Sequence, residues 1–181
     1  ALEFERHDFN QPLYVLFSSG TTGVPKCFVH SSGGVYLKHM SEYQLHCDVK
    51  PGDRVFFHST PSWMMWDWLV TGLAAGATLL LYDGAPSYPD ALAQWRFTAE
   101  NRCTHHGTAA PLIMSWADAG LDIGQELDLS DLRMILSTAA VLPAAGFRYI
   151  HENIKPNVKI SSISGGTDIV GCFLGGNPLV P

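Results

Sequence analysis

Short apolar runs alternate along the chain with longer stretches in which apolar residues recur every three or four positions. Leu13–Phe17, Arg54–His58, Ala77–Tyr82, Thr104–Gly107, Arg133–Ser137 and Val158–Ile163 read as strands. Most are apolar at consecutive positions, so burial on both faces is expected, as in a parallel sheet. Helices are expected over Gly34–Cys47, where Leu37, Met40, Tyr43 and Leu45 fall near helical spacing, and over Trp63–Ala75, Pro89–Asn101, Ala110–Ala119 and Pro143–Asn153. Pro51-Gly52-Asp53 and Asp83-Gly84-Ala85-Pro86 separate the units. The alternation predicts an α/β fold, an open, mainly parallel sheet flanked by helices. Residues 1–181 show no internal repeat and no linker, so a single domain or subdomain is expected.

Composition narrows the function classes. Hydrophobic residues make up 46% of the 181 positions and charged residues 15%, which excludes a disordered chain. Lys and Arg number 11 against 17 Asp and Glu, a formal charge of −6, so a nucleic-acid backbone finds no global attraction and any phosphate must be held locally. The four cysteines, Cys27, Cys47, Cys103 and Cys172, form no CxxC pair and are expected as free thiols in a cytoplasmic protein. No apolar run reaches the roughly 18 to 20 residues of a membrane helix, and no membrane partner is expected.

The densest chemical signal follows the first strand. Ser18-Ser19-Gly20-Thr21-Thr22-Gly23-Val24-Pro25-Lys26 holds four hydroxyl residues, two glycines and a lysine in nine positions. Glycines let backbone N–H groups approach an anion, hydroxyls add donors, and Lys26 supplies positive charge, so the loop suits a polyphosphate. It is not a Walker A loop, because Lys26 follows Pro25 and precedes Cys27. His105 and His106 are adjacent on a strand and point to opposite faces, which rules against a chelating pair and leaves a hydrogen-bonded loop histidine as the expected role. Cys27 and Cys172 have no base paired with them in sequence, and no nucleophile is expected.

The segment Leu16–Lys26 resembles the phosphate-binding signature of the AMP-forming acyl-CoA synthetases, the adenylate-forming superfamily. The resemblance continues through His30 with Gly33-Gly34, Pro51–Val55, Trp63-Met64-Met65-Trp66, Leu132–Leu142 and Ser161–Asp168, in order and spacing over nearly the whole chain. It implies that a carboxylate attacks the α-phosphorus of ATP, giving an acyl-adenylate and pyrophosphate, and that coenzyme A then displaces AMP. It also implies that Ser18, Ser19, Gly20, Thr21, Thr22, Gly23 and Lys26 hold the β- and γ-phosphates, and that Gly166 and Thr167 meet the α-phosphate. Asp168, where the family more often has Glu, becomes the Mg²⁺ ligand, and Thr167 and Asp168 together become the catalytic pair. Ala139, Ala140 and Val141 stand where relatives carry Gly-Glu-Pro or Gly-Ser-Pro and are expected beside the adenine. His30 is expected to hold the phosphate segment in place.

The acyl pocket follows from the same comparison. Acetyl-CoA synthetases resemble this chain but carry a tryptophan at the position of Gly165, so glycine here implies room for an acid longer than acetate, acetoacetate being the expected case. Trp63 is expected near that pocket, with Met64, Met65 and Trp68 in the core. The resembling enzymes are about three times longer and continue with a ribose-binding aspartate, a hinge and a C-terminal domain bearing a catalytic lysine. The chain therefore reads as an internal fragment of the large N-terminal domain, its partners being ATP, the acid, coenzyme A and the C-terminal domain of the same parent. Two other readings stay open: a nucleotide-phosphate-binding fragment without turnover, and an adenylation domain that loads another acid or a carrier protein.

Overall fold

The computed structural model describes residues 3–18 and 23–179. Two strands, β1 (Pro12–Ser18) and β2 (Lys26–Ser31), lead into helix α1 (Ser32–Ser41), which widens into a π-helical turn over Glu42–His46. Strands and helices then alternate as β3 (Arg54–Phe57), α2 (Met64–Thr71), β4 (Thr78–Leu80), α3 (Ala93–Glu100), β5 (His105–Ala109) and α4 (Ala110–Asp118). The short α5 (Ile123–Glu126), β6 (Met134–Thr138), α6 (Ala144–Tyr149) and β7 (Lys159–Ser162) follow, and a ribbon of β8 (Ser164–Gly166) and β9 (Gly171–Leu174) comes last.

β3 to β7 form one parallel sheet in the order β4-β3-β5-β6-β7. Because successive side chains on a strand point to opposite faces, each strand feeds two cores. Val55, Phe57, Met134 and Leu136 pack beneath α1 and α2 with Met40, Tyr43 and Trp68. Ile135 faces the other layer, with Trp95, Ile113, Trp116 and Ile150 from the helical side around α3, α4 and α6. Ile135 and Leu136 are both fully buried, and burial of each stabilises the sheet by about 1.5–3 kcal/mol. The turn at Pro51-Gly52-Asp53 is real: Gly52 adopts φ +88°, Lys50 N donates to Asp53 Oδ2 at 2.7 Å, and Arg133 at the head of β6 pairs with the same carboxylate.

Two expectations are corrected. The first strand is not part of the parallel sheet: β1 pairs antiparallel with β2, and Leu13, Val15 and Phe17 are exposed on its outer face. Its apolar run looked two-sided, but a chain that turns straight back on itself makes a ribbon with one covered face. In α1 and the turn after it, Leu37 and Leu45 point to solvent while His39 and Glu42 are buried with Val35, Met40 and Tyr43. A helix facing another segment's backbone buries the side chains that can bond to it.

In open parallel sheets, ligands collect outside the carboxyl ends of the strands. The loops leaving β3, β6 and β7 begin at His58, Ala139 and Ile163, so Trp63, Ala139–Val141 and Gly165–Asp168 all lie at or beyond that edge.

Candidate active site

β6 and β7 deliver their loops side by side. Ile163 N donates to Ser137 O at 2.7 Å and Thr138 Oγ1 donates to Ile163 O at 3.3 Å, tying the start of the 139–141 stretch to the start of the 164–168 stretch. Ala139 adopts φ +68°, a left-handed conformation that favours glycine, which explains why a residue without a large side chain stands there. Ala139, Ala140 and Val141 are all exposed, so their backbone is open to a ligand.

The β1–β2 ribbon leans on the second of these loops. β1 lies against the 167–169 turn, and His30 Nε2 donates to Thr167 O at 2.7 Å. His30 therefore joins the β1–β2 ribbon to the Thr167 turn. Ser18 and Lys26 form the last rung of the ribbon, with Lys26 exposed, and Gly23 adopts φ +107°. Ser19, Gly20, Thr21 and Thr22 lie outside the described residues. The ribbon thus presents the base of its loop to the side of the sheet that carries Thr167 and Asp168.

Thr167–Ile169 is a single 3-10 turn that ends in a left-handed residue, Val170, at φ 49° and ψ 35°. A β-branched residue in that region is strained by about 1–3 kcal/mol, which only surrounding contacts can hold. The contacts come from α1: His39 Nε2 donates to Val170 O at 2.5 Å, Lys38 Nζ donates to Cys172 O at 2.5 Å, and Glu42 Oε1 accepts Cys172 N–H at 2.7 Å. Glu42 is buried, pairs with Lys38 at 3.0 Å, and takes the Trp68 indole N–H at 2.8 Å on its other oxygen. Sequence reasoning missed this group. The i, i+4 spacing of Lys38 and Glu42 was the available signal, and it reads as a solvent-exposed helix pair until the ribbon is seen to cover it.

Gly165 lines a small cavity of about 70 Å³ together with Glu42, Met64, Met65, Trp68 and Thr138, room for only a few heavy atoms. The core role expected for Met64, Met65 and Trp68 holds, since all three pack in the layer under α1 and α2. Met64 and Met65 reach this cavity, whereas Trp63 is 57% exposed and is absent from its lining. Trp63 precedes the helix in an extended conformation, so its side chain leaves the face shared by residues 64, 65 and 68. Glycine at 165 also has a reason other than open space: a Cβ there would lie 2.1 Å from Gly171 O and 2.6 Å from Cys172 Cα. A hollow of about 670 Å³ runs along the edge strand β7 beside Phe147 and His151 and includes none of the predicted site residues.

Electrostatics separates candidate chemistry from structure. Burial pushes the Cys172 thiol up to about 12, with the Glu42 carboxylate adding to the effect, so no thiolate is available there. Burial lowers His39 despite its bond to Val170, and raises Asp67 against the opposing influence of His30. His105 and His106 are buried strand residues, a correction to the loop role expected for them. His105 Nε2 donates to Cys47 O at 2.9 Å on one face, and His106 stacks on Trp95 at 4.2 Å on the other, pushed down to about 3 by burial. Asp168 is exposed beside the half-buried Thr167. No group of three or more His, Cys, Asp and Glu able to cage a metal occurs among the described residues. No helix among the described residues is long and apolar enough to cross a membrane.

An open parallel sheet with the β1–β2 ribbon and a Thr-Asp turn joined at its carboxyl edge defines an open α/β domain. The chain belongs to the AMP-binding enzyme family, whose sequence profile matches residues 3–178. Among its relatives, the acetoacetyl-coenzyme A synthetase of Rhizobium meliloti (strain 1021) is 51% identical over 99% of this chain and 28% of its own length. The acetoacetyl-CoA synthetase of Xenopus tropicalis is 44% identical over 99% of this chain and 27% of its own. The structure of the acetoacetyl-CoA synthetase from Streptomyces lividans superposes with a TM-score of 0.93 at 43% identity, covering 98% of this chain and 28% of that one. That of the anthranilate CoA ligase AuaEII in complex with anthranoyl-AMP superposes at 0.82 with 23% identity, a likeness of fold, covering 98% of this chain and 34% of that one. The chain thus spans little more than a quarter of the length of the curated relatives it matches.

Proposed function

We propose that this chain is part of an acid:CoA ligase that converts a short acid, acetoacetate foremost, to an acyl-adenylate with ATP and then to a thioester with coenzyme A. In this reading residues 1–181 are one subdomain of a longer parent whose C-terminal domain completes the site. The carrying observation is the joining of three segments at the carboxyl edge of the sheet: the β1–β2 ribbon through His30 to Thr167, and the start of the 164–168 stretch through Ile163 to the start of the 139–141 stretch. The similarity along nearly all of this chain to proteins named acetoacetyl-CoA synthetases supports the choice of acid and of coenzyme A.

In the first half-reaction a carboxylate oxygen of the acid bonds to the α-phosphorus as the bond to the pyrophosphate oxygen breaks. In the second, the thiol of coenzyme A bonds to the acyl carbon, its proton is lost and AMP leaves. The protein's task is to stabilise charge on phosphate oxygens and to hold the acid in line. Ser18–Gly23 and Lys26 hold the β- and γ-phosphates by backbone N–H groups, hydroxyls and one ammonium. Thr167 donates to the α-phosphate, with Gly166 leaving its backbone accessible. Ala139–Val141 flank the adenine. Asp168 holds Mg²⁺, which when bound neutralises charge on the phosphates. Gly165, with Met64 and Met65, bounds a small space for the acyl chain.

The test is pyrophosphate exchange into ATP by the full-length protein with acetate, propionate, 3-hydroxybutyrate and acetoacetate. Exchange selective for acetoacetate is expected. Exchange with acetate alone overturns the substrate assignment, and no exchange with any acid overturns the reaction.

A further inference from the structure

The β8–β9 ribbon that carries the Thr167–Asp168 turn shares no strand with the five-stranded sheet, and two strands alone are marginally stable in water. Its inner backbone groups are matched by side chains from one neighbouring element. Val170 O, Cys172 O and Cys172 N–H are taken by His39, Lys38 and Glu42, three residues within little more than one turn. The grip is braced from behind: Glu42 is ion-paired with Lys38 and bonded to Trp68, and the other ring nitrogen of His39 lies 2.9 Å from Thr71 Oγ1 on α2. Gly171 lets the strand come close enough, since a Cβ there would lie 2.5 Å from Glu42 Oε1 and 2.8 Å from Lys38 Cε.

We propose that Lys38, His39 and Glu42 are positioning residues that fix the Thr167–Asp168 turn through the backbone of Val170 and Cys172. The proposal rests on the reading of Thr167 and Asp168 given above. Their bonds go to residues on the far side of the turn, so they act on phosphate and metal only through where the turn is held. Loosening them lets the left-handed Val170 relax and moves the two reacting side chains together.

The experiment uses the full-length protein with Lys38→Met, which keeps the apolar stem of a partly exposed residue, with Lys38→Arg as the conservative rescue and Glu42→Gln as a second, same-shaped probe. Amide hydrogen exchange over residues 164–174 reads the fastening, and the amides of β5 and β6 report whether the fold is intact. In Lys38→Met and Glu42→Gln the ribbon amides exchange about tenfold faster or more while the sheet amides are unchanged. The kcat of acid-dependent pyrophosphate exchange falls about tenfold or more with the KM for the acid within about threefold, because the lost alignment matters in the transition state. Lys38→Arg restores both readings. Wild-type ribbon exchange in an intact Lys38→Met protein overturns the fastening, and a fall in kcat without a looser ribbon overturns its link to the site. If the unmutated protein exchanges pyrophosphate with no acid, the functional reading and the catalytic half of this proposal fall, and the amide measurement alone decides whether α1 holds the ribbon.

Discussion

Replacing Gly165 with alanine tests how closely β8 and β9 are spaced. The added Cβ would stand 2.1 Å from Gly171 O, 2.6 Å from Cys172 Cα and 2.8 Å from Gly171 C. All three are main-chain atoms, so no rotamer change relieves the overlap. Reaching ordinary contact at 3.4 Å or beyond requires the strands to part by about 1.3 Å, which takes hydrogen bonds between them out of range. Overpacking of this kind costs about 1–3 kcal/mol, and each stretched backbone bond about 0.5–1.5 kcal/mol more, a total of about 2–4 kcal/mol. Because the ribbon shares no strand with the main sheet, the loss falls on residues 164–174. At about 1.4 kcal/mol per factor of ten, ribbon amides should exchange at least about 25-fold faster than in the unmutated protein. Adenylation should fall for every acid alike. Gly165→Trp carries the same Cβ and should fail in the same way before the shape of the indole matters, contrary to the narrowed pocket that the sequence comparison implies. An intact Gly165→Trp protein with unchanged ribbon protection and a new preference for acetate would refute the spacing argument and restore the pocket-space reading.

Three further outcomes follow from buried groups and backbone conformation. His106 is pushed down to about 3 by burial, so its contribution is fully present above the unfolded value of 6.5 and is lost as pH falls from there toward 3. His106→Phe should therefore flatten the acid limb of denaturant-measured stability by about 1.4 kcal/mol per pH unit between pH 6 and 4, and equal slopes would count against the buried neutral imidazole. Iodoacetamide near neutral pH should alkylate the exposed Cys27 first, leaving Cys103 and Cys172, both pushed up to about 12 by burial, unmodified by peptide mass mapping until the protein unfolds. Ala139→Val should lower thermal stability by about 1–3 kcal/mol because φ is +68° there, with Ala139→Gly close to neutral.

Most of the parallel sheet was legible because its strands are buried on both faces and say so in consecutive apolar residues, as Val55-Phe56-Phe57 and Met134-Ile135-Leu136 do. The β1 run Leu13–Phe17 carries the same signal with a different cause. Pairing partner is a long-range property, and nothing local distinguishes a covered ribbon from a sheet strand. The strands β2, β8 and β9 were hidden for a related reason, since Lys26–Ser31 and the glycines of 164–176 look like motif and loop. The residues proposed to meet a ligand could be named from the sequence, because phosphate chemistry restricts the side chains suited to it.

The residues that bond to the backbone after the Thr167–Asp168 turn were not readable, and the reason is physical. Lys38, His39 and Glu42 bond to main-chain atoms of Val170 and Cys172, and a backbone carbonyl or amide leaves no trace in its own residue's identity. A helix that supports another segment in this way must bury polar groups, so its pattern departs from amphipathic periodicity at the positions that matter: Leu37 and Leu45 lie outside, His39 and Glu42 inside. A buried carboxylate costs several kcal/mol unless its donors are already arranged, and Glu42 has three, from Lys38, Trp68 and Cys172. Two of them come from α1 and α2 and do not involve the ribbon. The strained turn at Val170 is therefore held from the helical layer beneath it.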